Sequence, residues 1–171
     1  RWIDDGGRGV KIFLDGDLDA GLHELEGLQT GTRRMQKWMV DTLWMLSREN
    51  ARRAKAAFGD LGVEFLECPL LPEDLAGHRD LIAHPGAPIA LGEHFRTSLQ
   101  VAEWFASPRA LDVSQPDIGR TGITDGLKQM EMAERAGIAT TPHMGNGISI
   151  FQAATLHFSA VCRPTHLQEW Q

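Results

Sequence analysis

The chain has 171 residues, with 17 Lys and Arg against 23 Asp and Glu for a net charge of −6, and two cysteines, Cys68 and Cys162. An acidic balance of this size argues against nucleic acid or an anionic membrane surface as partner and favours a small-molecule substrate. Two distant cysteines without a CxxC pattern give no disulfide framework and suit a reducing compartment. No signal-like segment opens the chain, and no apolar run approaches the roughly 18 residues of a membrane span, so a cytoplasmic location is expected.

Short apolar runs alternate with helix-length stretches from one end to the other. The first strand expected is 9–14, Gly9-Val10-Lys11-Ile12-Phe13-Leu14, followed by strands at 37–41, 63–67, 88–93, 110–113, 138–143 and 166–169. Between the second and third, Ser47 is a plausible N-cap for a helix over 48–58, with Ala51, Ala54, Ala57 and Phe58 on one stripe and Gly59 and Gly62 ending it. Later, Thr124 is expected to cap a helix over 125–136 before Gly137. Ser149 opens one over 150–161, with Phe151, Ala154, Phe158 and Val161 as its buried stripe. Strand and helix in strict alternation point to a parallel α/β sheet.

The strand ends carry a second regularity. Asp41, Glu67, Glu93, Asp117, His143 and Glu169 follow one another at intervals of 26, 26, 24, 26 and 26 residues. A parallel (β/α) barrel of the TIM type brings the C-terminal ends of its strands to one mouth, and this period would place all six groups there. Such a barrel takes about 250 residues and eight strands. The expectation is one domain over 1–171, a barrel with about seven strands, without its first strand and its closing helix.

Asp41, Glu67 and Glu93 end apolar runs, where an unpaired carboxylate is costly to bury. Any one of them alone would serve equally well as a helix cap or a loop residue; three in succession ask for a cation. Oxygen donors with no Cys or HxxxH helix beside them suit Mg²⁺, which takes octahedral oxygen ligation at about 2.0–2.1 Å and leaves positions open for substrate. One βα unit apart, Asp117 and His143 make a general acid/base dyad: the carboxylate fixes the imidazole tautomer and leaves the other nitrogen for the substrate. His94 and Arg96, directly after Glu93, would reach a hydroxyl or the distal end of a substrate, and Trp44 would wall the pocket. A surface loop or core packing would account for these three as well.

The segments Met39-Val40-Asp41, Phe65-Leu66-Glu67-Cys68-Pro69-Leu70, Leu91-Gly92-Glu93, Gln115-Pro116-Asp117-Ile118-Gly119 and Pro142-His143 resemble the mandelate racemase subgroup of the enolase superfamily. The resemblance implies that Asp41, Glu67 and Glu93 bind Mg²⁺, that the Asp117–His143 pair removes a proton α to a carboxylate to give a metal-stabilised enediolate, and that Glu169 lies near the substrate carboxylate. It also implies a homo-oligomer and an N-terminal capping domain, which these 171 residues do not include.

Two departures sharpen the reading. Many members carry Lys-x-Lys on the strand where this chain has Lys11 and Phe13. Strand alternation puts both on one face, so Lys11 is the single candidate for an opposing base. That favours an acid-sugar dehydratase, a hydro-lyase making a 2-keto-3-deoxy acid from an aldonic or aldaric acid. A racemase, epimerase or cycloisomerase using Lys11, or a metal-binding barrel without turnover, is the alternative. Cys68 stands where many members have a second Glu, and it is expected to alter only the surroundings of the ligands.

Overall fold

The structure, a computed structural model, describes residues 7–14, 17–31, 37–162 and 167–169. Among the described residues, six parallel strands, ordered in the sheet as in the chain, alternate with six helices. These are β1 (Gly9–Phe13), α1 (Leu18–Gly31), β2 (Lys37–Asp41), α2 (Arg48–Asp60), β3 (Phe65–Glu67), α3 (Leu75–Ile82), β4 (Ile89–Leu91), α4 (Ser98–Phe105), β5 (Val113–Ser114), α5 (Ile118–Arg135), β6 (Ala139–Thr140) and α6 (Ser149–Ser159). The parallel α/β expectation holds. Among the described residues no helix is long and apolar enough to cross a membrane.

The strands are shorter than the sequence suggests, and proline explains much of it. Proline has no N–H to give to a ladder: β4 starts after Pro88, β5 stops one residue short of Pro116, and β6 stops one residue short of Pro142. Among the described residues there is no seventh strand. Residues 167–169 lie outside any strand; Gln168 Nε2 donates to the Glu169 carbonyl at 2.7 Å, and the Met144 N–H donates to Glu169 Oε2 at 2.9 Å. His166, the start of that expected strand, lies outside the described residues.

The chain divides into two compact units, Arg1–Ile89 and Ala90–Gln171. In the first, β1 pairs with β2 and β2 with β3, all parallel. Helix α2 begins as expected: Ser47 Oγ accepts the Asn50 N–H at 3.2 Å. Its buried face is Ala51, Ala54, Lys55 and Phe58, so the stripe includes a lysine in place of Ala57, which is half-buried. Lys55 runs its stem along the core and donates from Nζ to the Ala87 carbonyl at 2.8 Å, which removes the cost of burying the ammonium without a hydrogen bond. The helix comes this close to the 86–87 backbone because Gly59 and Gly86 carry no side chain; a Cβ on Gly86, at φ 129°, would sit 2.2 Å from the Lys55 carbonyl oxygen.

In the second unit β4 pairs with β5 and β5 with β6. Helix α5 starts at Ile118 instead of 125, because Asp117 caps it, and Gly122 at φ 70° and ψ 162° breaks it into a first turn and a long remainder. The expected start near Thr124 corresponds to the remainder. Ile118, Phe158 and Cys162 form a buried cluster with Leu127, Met130, Phe151 and Ala154 packed on it. Val161, expected in that stripe, lies past the end of α6 and is exposed. Burial in this apolar surrounding pushes the Cys162 thiol up to about 12, so it is an inert core thiol.

Candidate functional site

In the first unit the register does the positioning. Asp41 and Glu67 are direct partners across β2 and β3, so their side chains leave the sheet at one level on one face. Both are buried, Asp41 to 4% and Glu67 to 0% exposure. Asp41 Oδ1 accepts the Leu43 N–H at 2.8 Å, in a turn where Leu43 and Trp44 take φ 52° and 64°. Left-handed backbone at two bulky residues is strained and holds the carboxylate in the turn. Trp44 itself is half-buried.

Lys11 lies two residues before Phe13, which is the register partner of Asp41. Its ammonium rests on both oxygens of Glu67, at 3.0 and 3.1 Å, and 5.4 Å from the Phe13 ring centroid. The shared face expected for Lys11 and Phe13 is thus observed, and the lysine turns toward the acids. Two carboxylates on neighbouring strands, one of them fully buried and drawing a cation from a third strand, are an oxygen donor set that fits a hard divalent ion. Cys68 adds to this: one ligand atom each from Asp41, Glu67 and Cys68 lie within 4.8 Å of one another.

The second unit gathers the other four residues. Asp117 and His143 form an isolated parallel bridge, the His143 N–H donating to the Pro116 carbonyl at 3.2 Å. That bridge brings His143 Nδ1 to 2.7 Å from Asp117 Oδ2. The second oxygen, Oδ1, accepts the Arg120 N–H at 3.1 Å and caps α5. Each oxygen of this carboxylate therefore has its own task, one on the imidazole and one on the helix.

Nε2 of the same imidazole stands 3.0 Å from Glu93 Oε2 and 3.9 Å from Glu169 Oε2. Glu93, assigned to the metal from sequence, is thus a partner of the histidine here. Gly92 makes the approach possible: at φ 143°, a Cβ there would meet the Gln115 backbone nitrogen at 2.9 Å. Burial, the largest single influence on His143, disfavours its charge, but hydrogen bonds to Asp117 and Glu93 and the charges of Glu93 and Glu169 outweigh it. The net result raises the imidazole from 6.5 to about 10. In this arrangement His143 holds its proton at neutral pH.

His94 is placed against the rings of Phe95 and Trp104, at centroid distances of 4.0 and 6.1 Å. Arg96 is exposed, its backbone N–H donating to Gln100 Oε1 at 2.7 Å. His78, buried in α3, has Nδ1 2.8 Å from the Asp74 carbonyl, and burial lowers it below the usual histidine value. Cys68 is expected from sequence to bear only on the surroundings of the ligands; alternation alone would send the residue after Glu67 to the other face, and the left-handed turn instead brings its donor atom among those of Asp41 and Glu67.

The model of the enolase C-terminal domain-like family matches residues 1–171. L-talarate/galactarate dehydratase of Salmonella typhimurium is 33% identical over 117 residues, 68% of this chain and 29% of that protein. D-galactarolactone cycloisomerase of Agrobacterium fabrum is 34% identical over 108 residues, 60% of this chain and 27% of that one. Among solved structures, L-talarate dehydratase of Polaromonas sp. JS666, complexed with Mg and L-glucarate, superposes with a TM-score of 0.79 at 27% identity, covering 90% of this chain and 43% of its own. The chain spans less than half the length of each of these relatives. Motifs, fold and family match agree, and the chain belongs to the enolase C-terminal domain-like family.

Proposed function

We propose that this chain is the barrel part of a hydro-lyase that converts an aldonic or aldaric acid to its 2-keto-3-deoxy product. The observation that carries the reading is the His143 imidazole, held at Nδ1 by Asp117 at 2.7 Å with Nε2 turned to the remaining acids. Asp117 keeps the proton on Nδ1, so Nε2 is the atom that exchanges protons with substrate. In the forward reaction neutral Nε2 takes the α-proton. The electron pair left on the α-carbon expels the β-hydroxyl, which receives the proton back from Nε2 and leaves as water, and the enol product tautomerises to the ketone.

A bound Mg²⁺, for which Asp41, Glu67 and Glu93 are the proposed ligands, would supply positive charge against the substrate carboxylate as the α-proton leaves. Glu93, if it served as a ligand, would no longer hold a proton on Nε2, and His143 would then be able to act as a base. Glu169 lies near the substrate carboxylate in this reading, and His94 and Arg96 contact hydroxyls or the distal end of the sugar acid. The intact protein is a homo-oligomer.

The second reading is a racemase, epimerase or cycloisomerase with Lys11 as the opposing base, which the amine beside the carboxylate pair and the cycloisomerase relative favour. Against it, Lys11 Nζ is committed to both oxygens of Glu67, and Phe13 stands on the same face without a proton to give. Proton NMR of the full-length protein with Mg²⁺ in D₂O and pooled aldonates and aldarates separates the two. A 2-keto-3-deoxy signal is expected; deuterium entering at the α-carbon without dehydration would replace this function with the second.

A further inference from the structure

In an extended strand, neighbouring side chains point to opposite faces, so the residue after a buried inward carboxylate belongs on the outside. Cys68 breaks this rule. It follows Glu67, yet its backbone takes φ 48°, a left-handed conformation rare for a residue with a Cβ. Two hydrogen bonds onto its carbonyl hold it there, from Thr42 Oγ1 at 3.1 Å and from the Trp44 N–H at 2.8 Å. The turn brings Sγ round to the carboxylates: donor atoms of Asp41, Glu67 and Cys68 lie within 4.8 Å of one another, and Cys68 is 1% exposed.

We infer that Cys68 Sγ is an additional metal ligand of this chain, making the Asp41–Glu67 site a mixed oxygen and sulfur site that takes thiophilic divalent ions such as Cd²⁺, Co²⁺ and Zn²⁺ through a metal–sulfur bond. The inference rests on the reading of Asp41 and Glu67 as metal ligands. Carboxylate oxygens alone favour a hard ion; a thiolate beside them shifts preference to softer ions, and Mg²⁺ gains nothing from sulfur. Binding forms the metal–sulfur bond, breaks S–H and releases the proton to water, with no change of oxidation state. A cysteine here therefore opens the Mg²⁺ site to competition from soft metals, where a glutamate would add only oxygen.

The test is a titration of the intact, metal-depleted protein with Cd²⁺ and Co²⁺, reading the thiolate-to-metal charge-transfer absorption, with Mg²⁺ binding followed by calorimetry. The expected result is a band that saturates with the site and disappears in Cys68→Ser, with Cd²⁺ affinity falling about tenfold or more and Mg²⁺ affinity unchanged. Cys68→Gly, which tolerates the left-handed backbone, guards against misfolding and should behave as Cys68→Ser does. Cd²⁺ binding heat without a band overturns the sulfur ligand and leaves the metal site intact. A band that survives both variants assigns the sulfur to Cys162 and also overturns it. Binding of neither Cd²⁺ nor Mg²⁺ overturns the metal reading and this inference together.

Discussion

Each of the two compact units sets a cationic side chain against a proposed metal ligand, Lys11 against Glu67 and His143 against Glu93, and the two cations differ in kind. In the first, Lys11 rests on Glu67; in the second, His143 is held by Asp117 and Glu93, with Glu169 nearby. A lysine near neutral pH is ordinarily a fixed charge, whereas imidazole gains and loses its proton in the physiological range and shifts readily with its partners. The first arrangement is suited to holding charge and the second to moving a proton. Glu93 bears on the difference most directly, since it is a proposed metal ligand and also the partner of Nε2.

The largest effect expected from separating these roles is on turnover. His143→Asn should keep metal and substrate binding and lower kcat by on the order of 10³ or more, measured in steady state. Glu93→Gln should abolish turnover as well and, unlike His143→Asn, weaken Mg²⁺ binding in calorimetry; equal Mg²⁺ affinity in the two variants would break the distinction. Next in size is the loss of Lys11. Lys11→Ala leaves Glu67 buried without its ammonium and should cost about 3–5 kcal/mol in urea denaturation, with part of the loss restored by Glu67→Gln in the same chain.

A pH dependence sharpens the comparison further. The folded chain raises His143 from 6.5 to about 10, so folding favours its charged form. Its contribution is fully present below pH 6.5 and is lost as pH rises toward about 10. The urea midpoint of the metal-depleted protein should fall across that window, and His143→Asn should flatten the fall; a wild-type midpoint indifferent to pH there would sink the assignment. The smallest effect belongs to the backbone that lets Glu93 approach. Gly92→Ala puts a Cβ 2.9 Å from the Gln115 nitrogen at φ 143° and should cost about 1–3 kcal/mol, read as a lower midpoint.

Much of this was legible in the sequence because a parallel α/β fold repeats at a fixed length, so equivalent residues recur at near-constant intervals. That period put Asp41 and Glu67 at successive strand ends and Asp117 one βα unit before His143; in the structure the first two are direct partners across β2 and β3, and the second two meet in an isolated bridge. Alternation along β1 rightly put Lys11 and Phe13 on one face. What the period could not carry were departures from regular geometry: the left-handed turn at Cys68, the break at Gly122 that lets α5 begin early, and Lys55 on a buried face that looked like alanine. The expected strand at 166–169 failed for a related reason. An acid at the right interval marks a position, but a strand also needs a backbone ladder to a neighbour, and residues 167–169 lie outside any strand.

Asp117 shows how tightly chemistry and folding are joined in this chain. One oxygen steers the imidazole and the other closes the first turn of α5, so the carboxylate cannot swing without uncapping a helix. Any route that adapts this scaffold to a new reaction must either keep the residue or find another cap first. Replacement by asparagine preserves a cap but gives the imidazole an uncharged neighbour, and alanine removes both. Drift at this site is therefore constrained twice, and a descendant that had stopped using the dyad would still have reason to keep the aspartate.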